Sequence, residues 1–499
     1  MQRNSGILMP VFSLPSKYGI GDFGKSSFEF IDFLKIAKQS VWQILPLVQT
    51  GYGNSPYSSV CSFSFSPYFI SPEQLYEEGL IDDNDLKELE NSNRYIDYGF
   101  LYETRIKMLK KAFSNFDCAD KEFNKFRKDR DFLNYAIFMA KKESSNFKPF
   151  YEWEKGLRNR EVKALKQFIK DNYNEVLFWQ FVQFKASEQF LKLKKYANKN
   201  GVKIFGDMPL YVALDSVDVW CNKKLFKLNK NFKPKKVAGV PPDYFCADGQ
   251  LWGNPVYNYV EHKKDNFRWW TNRIKKCLKI YDLVRIDHFR GLDRFYEVDF
   301  GRSDAKIGEW KKVPSKKLID AIKKSVDSRK IVAEDLGVID DGVRKLLAYA
   351  KYPGMKILSF AFNGENDNPY LPKNIAENSL CFTGTHDNDT LLGLIKSLND
   401  WDKNNLYWGV KKSLEELNIS GDLESDFGLA KSIIEIAFSV RSKLTIIPMQ
   451  DLLFLDSDYR INQPGIVKEQ NWAVRFFEGD YGEKQIKMLL DLNKKHKRN

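Results

Sequence analysis

Five acids, Asp207, Asp287, Glu334, Asp387 and Asp451, each stand at or near the end of an apolar run. Alone, an acid in that position caps a helix or closes a loop salt bridge. Several converging on one site would raise each other's pKa and cost stability, so convergence points to chemistry or to a metal. In Arg285-Ile286-Asp287 the two-residue pleat puts the guanidinium and the carboxylate on one face, where Arg285 can hold Asp287 ionised and aimed, as a nucleophile requires. Glu334 follows Ile331, Val332 and Ala333, apolar surroundings that favour a carboxyl with a raised pKa, as a general acid requires. In Thr385-His386-Asp387-Asn388-Asp389 an imidazole stands beside an acid, able to contact a polar ligand or simply to form a capped turn. One ionised and one protonated carboxyl are the equipment of retaining glycoside chemistry. Binding of a divalent cation is the competing use of such acids.

The elements that must position these groups recur along the chain. Eight apolar runs, 5–11, 41–47, 202–211, 283–289, 330–336, 355–362, 380–387 and 443–451, are continuous rather than alternating, which suits parallel strands buried on both faces. Helical patterns at 27–38, 175–197, 266–280, 316–326 and 430–442 precede several of them. This predicts an α/β fold, a closed (β/α)8 TIM barrel spanning 1–499 as a single catalytic domain, in preference to a doubly wound sheet, because no GxGxxG follows the first run. The spacing is uneven. Segment 73–200, rich in Lys and Glu with Phe123, Phe126, Phe132 and Tyr135 at helical intervals, predicts a helical insertion between the second and third strands. Segment 212–282 predicts a second insertion carrying an ordered loop, 238–258. The stretch after the eighth run is too short for a C-terminal β-sandwich domain.

Composition narrows the partners. Of 499 residues, 43% are hydrophobic and 29% charged, which excludes disorder and supports a large core. The net charge of +13 comes from scattered lysine pairs suited to solvated helix faces, with a true cluster only at Lys494–Arg498, so nucleic-acid binding is not expected. Six cysteines without CxxC spacing and four histidines without HxxxH spacing predict reduced thiols and no zinc site. The start of the chain has no signal-peptide pattern, and a cytoplasmic enzyme without membrane contact is expected. From Gln39 to Pro72 there is no Asp, Glu, Lys or Arg. Its prolines, glycines and serines exclude a membrane span. The window is either a buried strand with an uncharged loop or a surface offered to a neutral, hydroxyl-rich ligand.

RIDHFRG (285–291), AEDLG (333–337), GTHDNDT (384–390), GDMPLYVALDS (206–216), LWGNP (251–255), GYGNSPY (51–57) and NPYLP (368–372) occur in an order that resembles glycoside hydrolase family 77, the 4-α-glucanotransferases or amylomaltases of the α-amylase clan. The resemblance runs from about Leu14 to Trp472. It implies Asp287 as the nucleophile oriented by Arg285, Glu334 as the general acid/base, and Asp387, with His386 beside it, as the acid that favours the distorted, oxocarbenium-like sugar. It further implies Tyr57 stacked beneath the donor sugar, Asp207 binding it, and Trp252 and Tyr244 on a loop covering the glucan. His288, Gln250, Asp243, Ser55 and Asn462 are implied secondary contacts. The implied reaction transfers a segment of an α-1,4-glucan to the 4-hydroxyl of an acceptor glucan or glucose, with retention, without metal or organic cofactor, in a monomer or homodimer whose partners are maltooligosaccharides. A hydrolase of the same clan and a non-catalytic glycan-binding protein are the alternatives. Asn363 stands where the family commonly has Asp, Ile461 where Met is usual, and Lys373 where His commonly follows NPYLP.

Overall fold

A computed structural model of the chain describes residues 3–51, 53–242, 247–337 and 339–498. All eight apolar runs become parallel strands of one sheet: β1 (Asn4–Leu8), β2 (Val41–Gln43), β3 (Lys203–Met208), β6 (Leu283–Ile286), β9 (Ile331–Ala333), β10 (Gly354–Ile357), β11 (Ser379–Phe382) and β12 (Leu444–Pro448). Their order is β10-β11-β12-β1-β2-β3-β6-β9. The Ala333 N–H donates to the Pro353 carbonyl at 2.9 Å, which joins the two ends of that order and closes the barrel. Every residue of β2, β9, β11 and β12 is buried, as β-branched and aromatic side chains packed on both faces require.

Helices return the chain between strands, among them Lys25–Ile36, Arg268–Ile280, Ser315–Ser325, Asp341–Ala350 and Asp426–Ser439. Between β2 and β3 the chain from Pro72 to Lys199 is built of helices, several opened by an aspartate that accepts from the first-turn backbone, as at Asp82, Asp97, Asp120 and Asp129. Aromatic rings fill the space between them: Phe116 lies 4.9 Å from Phe181, and Phe126 stacks on Phe132 at 4.4 Å. The last of these helices, Tyr173–Lys199, also packs on the barrel, where Tyr196 Oη donates to Asp32 at 2.7 Å.

A second, antiparallel sheet departs from the sequence expectation. It has the order β5-β4-β7-β8, with β4 Lys236–Val240, β5 Gln250–Pro255, β7 Arg294–Asp299 and β8 Gly308–Lys312. Much of the loop expected at 238–258 is therefore a hairpin, and its sheet continues past 282. The Pro and Gly content that reads as loop sits at a left-handed Gly253 and at the strand end Pro255, while most of β5 is half-buried and carries no apolar run.

Within the basic cluster Lys494–Arg498 the lysines are exposed, but His496 and Arg498 are not. Arg498 is buried beneath the barrel and donates to the carbonyls of Asn4, Phe438, Val440 and Ser442 at 2.7–3.1 Å. Lys495 pairs with Glu435 at 2.9 Å, and His496 bonds the same carboxylate. Among the described residues no helix is long and apolar enough to cross a membrane.

Candidate active site

The carboxyl ends of β3, β6 and β9 lie side by side, and their register sets the site. Asp207 is the pairing partner of Arg285, and Ile286 of Ala333. The ladder continues one residue beyond the strands: Asp287 N–H donates to Met208 O at 3.1 Å, and Glu334 N–H to Ile286 O at 3.0 Å. Asp287 and Glu334 thus emerge together at the mouth. His288 then takes a left-handed conformation (φ 47°), which swings its N–H onto Glu334 Oε2 at 2.7 Å. Leu336 N–H donates to Glu334 Oε1 at 2.8 Å, so both carboxyl oxygens are held by backbone.

Arg285 is fully enclosed and divides its donors unequally. Its Nε and Nη2 grip Asp207 at 2.9 and 2.6 Å, and Nη2 also reaches Asp287 Oδ1 and Tyr57 Oη, each at 3.0 Å. Tyr57 Oη donates to Asp207 as well. Arg285 does reach Asp287, as the sequence leads one to expect, but gives it one hydrogen bond where Asp207 takes two. Burial pushes the Asp287 carboxyl above the usual range, Arg285 opposes this, and Asp207, Glu334 and Asp387 reinforce it. Burial also pushes Glu334 up to about 7, against Arg285 and the Leu336 and His288 amides.

Asp387 arrives from the segment after β11. Asn462 Nδ2 donates to its Oδ1 at 2.6 Å, and His386 Nε2 lies 3.4 Å from its Oδ2. Burial drives the His386 pKa down, with Asp387 opposing. The His386 imidazole stacks on the Tyr57 ring (5.1 Å between centroids, 13° between planes), so one face of Tyr57 is already covered. On the far side, Trp252 of β5 meets the His288 ring edge-on at 4.9 Å, and its Nε1 donates to Gln250 Oε1 at 3.2 Å. Burial, aided by Arg290, pushes the His288 pKa down to about 4. Ser55 Oγ accepts from Tyr57 N–H at 3.3 Å and so fixes the turn that delivers Tyr57. Asp243 and Tyr244 lie outside the described residues.

Asp451 does not join the other four acids. It accepts from Thr383 Oγ1 at 2.6 Å and from Leu391 N–H at 2.7 Å, and burial pushes it up to about 6. Three residues of the site went unassigned in the sequence. Arg460 ties Asp387 O (2.7 Å) to Asn462 O (2.8 Å). Trp472 packs on both Tyr57 and His386. Tyr370, within the quoted NPYLP motif, has its hydroxyl pushed up to about 12 by burial, with Asp335 and Glu334 adding to it. Asn363 is exposed and accepts from Asn368 Nδ2 at 3.0 Å, and Ile461 is buried. Among the described residues no three His, Cys, Asp or Glu side chains are grouped as a metal ion would need.

Chemically, the mouth holds a backbone-cradled carboxyl with a raised pKa next to one touched by a guanidinium, flanked by a third acid and by aromatic rings. The sequence profile of glycoside hydrolase family 77, described as 4-alpha-glucanotransferase, matches residues 9–478. The 4-alpha-glucanotransferase of Clostridium butyricum is 41% identical over 473 residues, 94% of this chain and 95% of that one. That of Aquifex aeolicus is also 41% identical, covering 98% of this chain and 99% of its own. The solved structure of the Streptococcus agalactiae amylomaltase in complex with acarbose superposes with a TM-score of 0.94 at 35% identity, covering all of both chains.

Proposed function

Because the chain belongs to the 4-alpha-glucanotransferase family, glycoside hydrolase 77, we propose that it transfers segments of α-1,4-glucans by double displacement through Asp287 and Glu334. In the first step Asp287 attacks the anomeric carbon and the glycosidic bond breaks. Glu334 gives its proton to the departing oxygen, and a β-linked glucosyl-enzyme ester remains. In the second step the Glu334 carboxylate takes the proton of an acceptor 4-hydroxyl, whose oxygen displaces Asp287 and restores the α-linkage.

The observation that carries this reading is the unequal treatment of the two carboxyls. Arg285 touches Asp287 at 3.0 Å, whereas Glu334 meets only neutral backbone donors and is pushed up to about 7. On this reading the proton of the pair is assigned to Glu334 and the charge to Asp287, the carboxyl that the guanidinium touches. Asp387, kept in place by Asn462, faces the charge that develops on the sugar ring. Tyr57, with one face against His386, offers its remaining surface to the donor sugar, whereas Asp207, expected from the sequence to bind that sugar, is enclosed and spends its carboxylate on positioning Arg285 and Tyr57. Trp252, Gln250 and His288 line the acceptor side. The hairpin β4–β5 acts as a cover that favours a stacked glucan over water as acceptor.

A maltotriose digest tests the reaction. Transfer gives glucose together with a ladder of longer oligosaccharides, while shortening alone would sink the proposal in favour of hydrolysis.

A further inference from the structure

Helix Asp400–Glu416 lies on the outside of the molecule between β11 and β12, packed inward through Leu406, Val410, Ser413 and Leu414. Its opposite face carries two tryptophans in the open: Trp401 is 75% and Trp408 55% exposed. Seven residues apart, they share an azimuth two turns and about 10.5 Å along the axis. Tryptophan is enriched at interaction surfaces, and two aligned on one exposed helix face offer such a surface.

The ridge is built rather than loose. Trp408 Nε1 donates to Asn404 Oδ1 at 3.2 Å, the Lys411 ammonium sits 4.8 Å from the ring centroid, and Tyr407 meets the ring edge-on at 5.4 Å. Asn404 keeps its amide N–H groups for a ligand, and Asn405 lies on the same side of the helix. Flat apolar faces separated by amides on a convex helix do not suit a small molecule, which needs a pocket. They suit a linear chain that repeats an apolar ring face between hydroxyl edges.

The helix also packs on a segment that leads toward the mouth. Gly409 sits against Phe362, where an added Cβ would come within 3.0 Å of the ring, and the Asn405 side chain backs onto Gly364. Both neighbours belong to the segment that leads to Tyr370, which stands near enough to Asp335 and Glu334 to feel their charge.

We propose that Trp401 and Trp408 form a second α-glucan binding surface, holding a polymeric substrate along helix Asp400–Glu416 while one of its ends occupies the barrel mouth. This rests on the glucanotransferase reading above. Native electrophoresis through gels containing amylose tests it, using Asp287→Asn as the background so that the polymer is not remodelled during the run. Asp287→Asn is expected to be retarded, and Asp287→Asn/W401A/W408A to bind amylose about fivefold more weakly, the scale of losing exposed aromatic anchors. In the active background, W401A/W408A is expected to lower kcat/KM for amylose relative to that for maltotriose. Equal retardation of the two Asp287→Asn proteins overturns the proposal. So does a change in oligomeric state on W401A/W408A by size-exclusion chromatography, which would make the ridge a contact between copies of the chain. If retardation depends on the ridge but maltotriose gives no longer products, the transfer reading fails and the binding surface stands.

Discussion

Arg285 holds Asp207 through two hydrogen bonds, at 2.9 and 2.6 Å, and reaches Asp287 through one, at 3.0 Å. A buried cation is thereby neutralised mainly by an acid outside the proposed proton-transfer pair, which leaves Asp287 aimed by a single contact rather than gripped by two. The cost of upsetting this arises from burial. Asp207→Ala strands an enclosed guanidinium, and the expected loss is about 3 kcal/mol, read as a lower urea midpoint. Asp207→Asn, which keeps the shape, should lose less. Equal stability of wild type and Asp207→Ala would refute the linkage.

The two catalytic carboxyls are separable by leaving group. Glu334→Gln should lose about 10³-fold in kcat on maltotriose and recover glycosylation with α-maltosyl fluoride, whose departing fluoride needs no proton. Asp287→Asn should be rescued by neither substrate. Rescue of both, or of Asp287→Asn alone, would reverse the assignment.

The raised Glu334 pKa fixes a direction for pH. A general acid must be protonated, so kcat/KM should fall as pH rises through about 7. Stability has the same sign. The folded protein holds a proton on Glu334 that the unfolded chain releases near its ordinary pKa of 4.5. That contribution is complete below 4.5 and is lost as pH climbs through about 7. Glu334→Gln should flatten this slope in denaturant titrations across pH 5–8. An unchanged slope would place the proton elsewhere.

Asn462 donates to Asp387 at 2.6 Å, a bond to an acid rather than to a neutral group. Asn462→Ala should reduce kcat by about tenfold or more, the range expected for a hydrogen bond to a charged partner, with a smaller effect on KM. A change confined to KM would make Asn462 a ground-state contact only.

Trp252→Ala removes an indole from the cover beside His288. The expected result is a shift of the product ratio toward hydrolysis by about threefold, measured as reducing ends formed per transfer event from maltotriose. An unchanged ratio would remove the cover from acceptor selection.

Much of this architecture can be read along the chain because strands buried on both faces must be apolar throughout, and runs such as Ile331–Ala333 and Leu444–Pro448 have no other use. Gln250–Pro255 resists the same reading, since it is half-buried and pairs only by backbone with Val237–Val240. Asp387 and Asp451 come after similar apolar runs and look alike locally. What separates them is a neighbour across the sheet, Thr383 of the chain beyond β11, which ties Asp451 down before it can reach the mouth. Arg498 is hidden for a related reason. Its surroundings in sequence are lysines, and the carbonyls that receive it come from Asn4 and from the segment Phe438–Ser442.

The pairing of β1 with β12 has a consequence for biosynthesis. β1 leaves the ribosome long before its register partner, which begins at Leu444. Until β12 has followed, one side of β1 is a bare row of amides and carbonyls, flanked by Ile7 and Leu8. For a nascent molecule this is the period of greatest exposure to misassembly with its neighbours on a polysome.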